Sequence, residues 1–189
     1  LELQNDQNYR LNIGPYSTQN YLIVEKDLAI YKYNLVDIII KYKGEHRFND
    51  QETDLEIQII HEKDKDYVSS SVFSQDPDPW STKLVIAIAF KVNSNTAGSL
   101  LEDLNANTRE VVKNLDLNKF INNSKGYYYY PGSNNTPPCE EDVEWIVMKD
   151  IQAISSIQLN SIKDWVTTLY PNGNARTAKS AANRRVFYY

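Results

Sequence analysis

Apolar and polar positions alternate at a spacing of two along most of the chain, and helical spacing is rare. The pattern predicts strands over 21–25, 29–33, 36–42, 55–61, 84–92, 127–130, 144–148 and 186–189. The segments YLIVE, VDIIIKY and LEIQIIH are rich in β-branched and aromatic side chains, which suit a pleated, half-buried surface. Residues 1–13 read as two short extended runs around a turn-like QNDQN. Two segments carry a helical period. One covers 97–107, with Leu100, Leu101 and Leu104, and Val111 and Val112 continue it. The other covers 155–169, with apolar residues at 157, 159, 162, 165, 166 and 169 behind a Ser-Ser start signal. A polar loop is predicted between Glu62 and Lys83, where the prolines of DPDPW forbid regular structure and the EKDKD run at 62–66 reads as solvated. No internal repeat is visible, so the pattern describes one mainly β domain over 1–189 with helices on its surface.

Composition narrows the function. With 41% hydrophobic residues, the 189-residue chain can build a real core. Its net charge of −5 argues against nucleic acid or an anionic membrane as partner, because both need clustered positive charge. The longest apolar run, 84–90, has strand length and falls far short of the ~20 residues that cross a bilayer. One cysteine, Cys139, excludes an internal disulfide and any multi-cysteine metal site. Two histidines, His46 and His61, exclude a site built on three imidazoles.

Residues 127–149 read YYYYPGSNNTPPCEEDVEWIVMK. This segment resembles the α-carbonic anhydrases, whose matching stretch has the form Y-x-Y-x-G-S-x-T-T-P-P-C-x-E-x-V-x-W-I-V. Gly44, Glu45 and His46 are similar to the family's S-E-H turn, and LEIQIIH to its L-E-x-H-x-V-H strand. The runs at 84–92 and 155–169, and Asn174, Ala175 and Arg176 through Arg185 and Val186, resemble its later segments. The resemblance implies a large, twisted, mostly antiparallel sheet with helices around it. It covers the chain from the middle of the family's domain to its end, so about the first quarter of that domain is expected to be absent.

The family's chemistry implies a zinc held by three histidines, whose bound water is acidified to near neutral pKa. Two ligands form an H-x-H on one strand and the third lies on the next. Counting back from Glu45 and His46 matches the first two to Ile39 and Lys41, and the third to Gln58. Residues two apart on a strand share a face, so Ile39 and Lys41 keep the geometry without the ligands. Ile has no lone pair to donate, an ammonium repels a dication, and Gln offers one weak carbonyl. The resemblance therefore implies no zinc, no cofactor and no catalytic residue. His46 and His61 match histidines that do not bind the metal, and read as hydrogen-bonded core or rim residues.

The surroundings of the metal are partly retained. Glu45 matches the carboxylate that accepts from the gatekeeper threonine, and Glu56 the one that orients the third histidine. Asn135 stands at the gatekeeper position, and Thr136 keeps the threonine after it. A buried ammonium is costly unless paired. Lys41 is expected either to take over the metal's charge by pairing with Glu45 or Glu56, or to snorkel outward or sit one residue out of register. Tyr127 to Tyr130 read as core and edge packing rather than a sugar platform. Asn122 and Asn134 both fit N-x-[ST], but Pro137 and an interior loop disfavour modification of Asn134. Cys139, which the family often pairs with an early cysteine, is either free or paired outside this chain.

The reading these residues carry is a catalytically inactive carbonic anhydrase-related chain kept as a structural or interaction module. Alternatives are an enzyme with a site rebuilt from Glu45, Glu56 and Lys41, or a small-ligand or glycan-binding domain using the vacated cavity. Family habit implies a secreted or membrane-associated location, with an organellar assembly as an alternative. A protein partner, or the missing N-terminal segment, is expected to cover apolar surface beside 84–92 and the C-terminal strand.

Overall fold

A computed structural model describes residues 9–11, 20–26, 29–67, 81–93, 121, 126–180 and 184–189. Its strands are β1 (Tyr9–Leu11), β2 (Tyr21–Lys26), β3 (Ala29–Tyr42), β4 (Leu55–Lys63), β5 (Lys83–Val92), β6 (Tyr127–Gly132), β7 (Val143–Met148), β8 (Gln152–Ile154) and β9 (Phe187–Tyr188). Among the described residues, the helix α1 (Ser156–Leu169) lies between β8 and β9. The strands form a single nine-stranded sheet in the order β1-β3-β4-β5-β7-β6-β9, with β2 also paired to β3 and β8 to β5. Most pairings are antiparallel, as expected. The two exceptions are the parallel pairings of β5 with β7 and with β8.

The runs at 29–33 and 36–42 are one continuous strand rather than two. What divides them is a bulge: Leu35 faces His61 and Asp37 faces Ile60, so Val36 is the extra residue. The bulge resets the alternation of faces. Before it, Tyr33 and Leu35 point into the main core; after it, Ile38 and Ile40 do. Asp37, Ile39 and Lys41 are thereby turned to the other face, where Asp37 and Ile39 line a cavity. The site on that face exists because one residue was inserted into the ladder.

The main core lies between one face of the sheet and α1. Leu55, Ile57 and Ile59 of β4, Leu84, Ile86, Ile88 and Phe90 of β5, and Ile162 and Val166 of α1 meet there. Burying each aliphatic side chain contributes about 1.5–3 kcal/mol. Ser155 is the N-cap of α1: its Oγ accepts from the backbone N–H of Gln158 and donates to that residue's Oε1. Not every apolar residue of the helical pattern is inside. Ile157 is exposed because five residues before Ile162 is not a whole number of turns, and Leu169 is exposed in the last turn.

Other expectations need correction. Glu62 and Lys63 end β4 instead of opening a loop, and Lys63 lies 4.4 Å from the ring centroid of Tyr31. Asp64 of the charged run pairs with Lys32 at 2.9 Å. Leu84 to Phe90 of β5 are buried. Phe187, Tyr188 and Tyr189 are exposed, with Tyr189 stacked on Tyr127 and Phe187 and Tyr188 tilted against Tyr129 and Tyr128. The helix expected at 97–107, the DPDPW segment, the extended run at 1–8 and the Asn122 sequon lie outside the described residues.

Candidate functional site

On the face opposite α1, β3 and β4 set Ile39 beside Gln58 and Lys41 beside Glu56 as cross-strand neighbours. Glu56, Gln58 and Lys41 are all buried. The loop joining β3 to β4 folds back over them. Gly44 permits this approach, because a Cβ there would sit 1.9 Å from Thr53 Oγ1. The turn delivers two backbone N–H groups, of Glu45 and His46, to Glu56 Oε2 at 2.9 and 2.8 Å. Opposite, the loop after β6 carries Asn135 inward, anchored by Trp145 Nε1 donating to the Ser133 carbonyl at 3.1 Å. Asn174, after α1, donates to the Ile40 carbonyl and accepts from the Tyr42 N–H, tying its segment to β3.

These elements converge on Glu45. Its Oε2 accepts from Gln58 Nε2 at 2.9 Å and from Asn135 Nδ2 at 2.7 Å. Its Oε1 accepts the Arg176 backbone N–H at 2.8 Å and lies 3.3 Å from Lys41 Nζ. Lys41 also donates to the Asn174 carbonyl at 3.3 Å. Of the two alternatives for Lys41, the inward, paired one holds; the partner is Glu45, although Glu56 faces Lys41 across the ladder. Gln58 Nε2 donates as well to Glu56 Oε1 at 2.8 Å, and Gln58 Oε1 accepts from Asn135 Nδ2. Carboxylates only accept, so the two glutamates fix which end of the Gln58 amide faces them.

A second chain of bonds runs outward from Glu56. Its Oε1 lies 3.0 Å from His46 Nδ1, and His46 Nε2 lies 2.7 Å from the Tyr130 hydroxyl. Trp145 packs its ring edgewise on His46 at 5.2 Å. Burial opposes charge on His46, but the adjacent Glu56 carboxylate outweighs it and raises the imidazole pKa. Burial likewise opposes charge on Glu56, and His46 with the converging donors holds its carboxyl down at about 2. His61 is different: buried, with Nδ1 lacking a hydrogen-bond partner among the described residues, it is lowered by burial to about 4. Thr136 is also apart from the network, its hydroxyl bonded to Asn134 Oδ1.

The site residues named from sequence are thus gathered in one place, except Ile39 and Thr136, which line the adjoining cavity of about 130 Å3. Tyr130, Asn174 and Arg176 were not assigned to the site in advance. Tyr130 read as packing, and the N-x-R segment that holds Asn174 and Arg176 carried no role of its own. The donor set does not fit a tetrahedral zinc. Ile39 has no donor atom, Lys41 Nζ is turned to Glu45 and Asn174, and the one acceptor of Gln58 is used by Asn135. Among the described residues, no group of three or more His, Cys, Asp or Glu is arranged to hold a metal ion.

Comparison with known proteins gives the lineage. The family model for eukaryotic-type carbonic anhydrase matches residues 3–189. The chain belongs to the carbonic anhydrase family. Dioscorin dioA3 of Dioscorea japonica is 30% identical over 167 residues, which cover 84% of this chain and 55% of that protein. The chain thus spans about half the length of such curated relatives. The Photobacterium profundum α-carbonic anhydrase superposes with a TM-score of 0.70 at 20% identity, covering 95% of this chain and 73% of the other. A dioscorin crystallised with ascorbate gives 0.65 at 25% identity, over 96% and 74%. This carbonic anhydrase family member therefore has the fold that its sequence implied, including the large sheet.

Proposed function

We propose that this chain is a carbonic anhydrase-family scaffold that does not hydrate CO2 and serves as a structural or interaction module in a larger assembly. One observation carries the reading. Two of the positions matched to the metal ligands, Lys41 and Gln58, are tied to Glu45 and Asn135 of the retained surroundings in one network of bonds. The ammonium of Lys41 supplies positive charge beside the family's metal position, paired with Glu45 and donating to the Asn174 carbonyl. Without a metal the water pKa stays near its bulk value, so no hydroxide nucleophile is available at neutral pH. A hydroxyl is also missing at Asn135, where the family's gatekeeper would handle that oxygen.

Family habit favours an extracytoplasmic or membrane-associated location, and among the described residues no helix is long and apolar enough to cross a membrane. A protein partner is supported by the exposed aromatic edge of Phe187, Tyr188 and Tyr189. The test is CO2 hydration by the purified chain in the presence of zinc. A rate equal to the buffer background is expected. Zinc-dependent turnover that scales with protein would overturn the proposal.

A second reading has its own support. The cavity beside the network is lined by Ile39, Gln58, Val85, Asn135, Val143 and Trp145, and a related dioscorin has been crystallised with ascorbate. If this chain holds a small polyol there, ascorbate will raise its melting temperature in a concentration-dependent way. An unchanged melting temperature would dispose of that reading and leave the first intact.

A further inference from the structure

A second cavity, of about 330 Å3, lies on the other side of the Asn135 loop. Among the described residues it is lined by Lys41, Asn135, Thr136, Cys139, Tyr170 and Arg176, with the backbone of Gly173 to Ala175 between them. Two features set it apart from the vacated metal cavity. Its described lining holds two cations and no carboxylate, in a chain whose net charge is −5. Glu45, which offsets Lys41, sits behind the wall rather than in it. Arg176 is anchored through its backbone, whose N–H bonds Glu45. Among the described residues, its guanidinium makes one hydrogen bond, from Nη1 to the Asn134 carbonyl at 3.3 Å. Among the described residues, the rest of that planar fork has no acceptor.

The segment is built to hold this arrangement. Gly173 takes a φ of +86°, a backbone conformation open to glycine, and a Cβ there would lie 2.6 Å from the Tyr42 carbonyl oxygen. Asn174 then clamps β3 through both ends of its amide. The segment is thus fixed at the Arg176 backbone, and among the described residues the guanidinium keeps donors beyond its one bond to Asn134, beside a space large enough for a compact organic molecule. A guanidinium fork pairs best with a planar or tetrahedral oxyanion, and pairs more strongly where solvent is partly excluded.

We propose that this cavity binds a small oxyanion, a carboxylate or phosphate carried on a compact molecule, through the Arg176 guanidinium. Asn135 and Thr136 lie within the same wall to orient the remainder of the ligand. Because Asn135 also bonds Glu45 and Gln58, occupancy on this side would bear directly on the network.

Cys139, the single cysteine of the chain and free, lines the cavity and serves as a reporter. Its alkylation by neutral iodoacetamide is followed on the whole chain by mass spectrometry, with inorganic phosphate or citrate titrated at constant ionic strength in chloride. Saturable protection by phosphate alone assigns a phosphate site, and by citrate alone a carboxylate site. Arg176→Gln, which keeps the backbone N–H, should weaken that protection by about tenfold or more, the loss expected for a charge-assisted pair. Its alkylation rate without ligand should stay near that of the unaltered chain. Arg176→Lys keeps the charge but loses the fork, and should fall between the two; it also covers the case in which Arg176→Gln does not fold. Alkylation unaffected by both anions, or protection undiminished in the variants, would overturn the proposal.

Discussion

The two faces of the sheet are built by opposite rules. The face under α1 is filled by interchangeable aliphatic side chains, and its stability is a sum of many similar burials. The other face carries Lys41, Glu45, Glu56, Gln58, Asn135 and His46, each bonded to specific partners. A change of shape on the first face is absorbed by repacking. A change of chemistry on the second leaves a buried charge or donor unmatched, and the cost falls on that group alone. The same strands supply both faces, and the bulge at Val36 decides which residues of β3 belong to which.

Swaps of similar volume separate the two faces most sharply. Lys41→Met should destabilise by about 3–5 kcal/mol in urea unfolding, because it strands the buried Glu45 carboxylate. Adding Glu45→Gln should recover the part of that loss due to the unpaired charge but not all of it, because its NH2 must face either the Arg176 N–H or the Gln58 and Asn135 donors; the pair should still depart from additivity. On the apolar face, Ile88→Leu should cost under about 1.5 kcal/mol. If the two swaps cost the same, the contrast between the faces is wrong.

Acid should act on both faces with a sign that can be worked out. His61, on the helix-covered face, titrates at about 4 in the fold against 6.5 when unperturbed. The unfolded chain therefore binds the extra proton first, and stability falls as pH drops from about 6.5 towards 4. The full effect is roughly 3 kcal/mol. Glu56, held near 2 against a usual 4.5, adds a second loss as pH falls from 4.5 towards 2. His46 works the other way: its raised pKa gives stability that is complete below its unfolded pKa and is lost as pH rises through the raised one. His61→Gln should flatten the slope between pH 6.5 and 4 and leave the lower limb in place. The smallest effect expected is that of Tyr130→Phe, about 1 kcal/mol, since it removes one hydrogen bond to His46 and no charge.

How much of this was legible in the sequence differs between the faces too. Period-two runs such as LEIQIIH mark β4 and its core residues directly, because alternation is what a half-buried strand requires. The bulge was not legible. In VDIIIKY the even positions are apolar and Asp37 and Lys41 share the odd ones, so the run assigns Ile38 and Ile40 to the core; what it does not show is that Val36 is an extra residue that changes the parity set by Tyr33 and Leu35. The site was visible only through single positions matched to a family pattern, since nothing in the composition distinguishes Lys41 from a surface lysine. That match brought Glu45, Gln58 and Asn135 together. It gave no role to Asn174 and Arg176, whose bonds span more than 130 residues of chain and have no local signal.

The central claim is that side chains of this protein, not a metal, complete the network at Lys41, Glu45, Gln58 and Asn135. Zinc titration by calorimetry tests it most directly, comparing the natural chain with one carrying Ile39→His, Lys41→His and Gln58→His together. The account predicts no saturable binding to the natural chain and one zinc per chain in the triple variant. Stoichiometric zinc on the natural chain, abolished by Gln58→Ala, would contradict it.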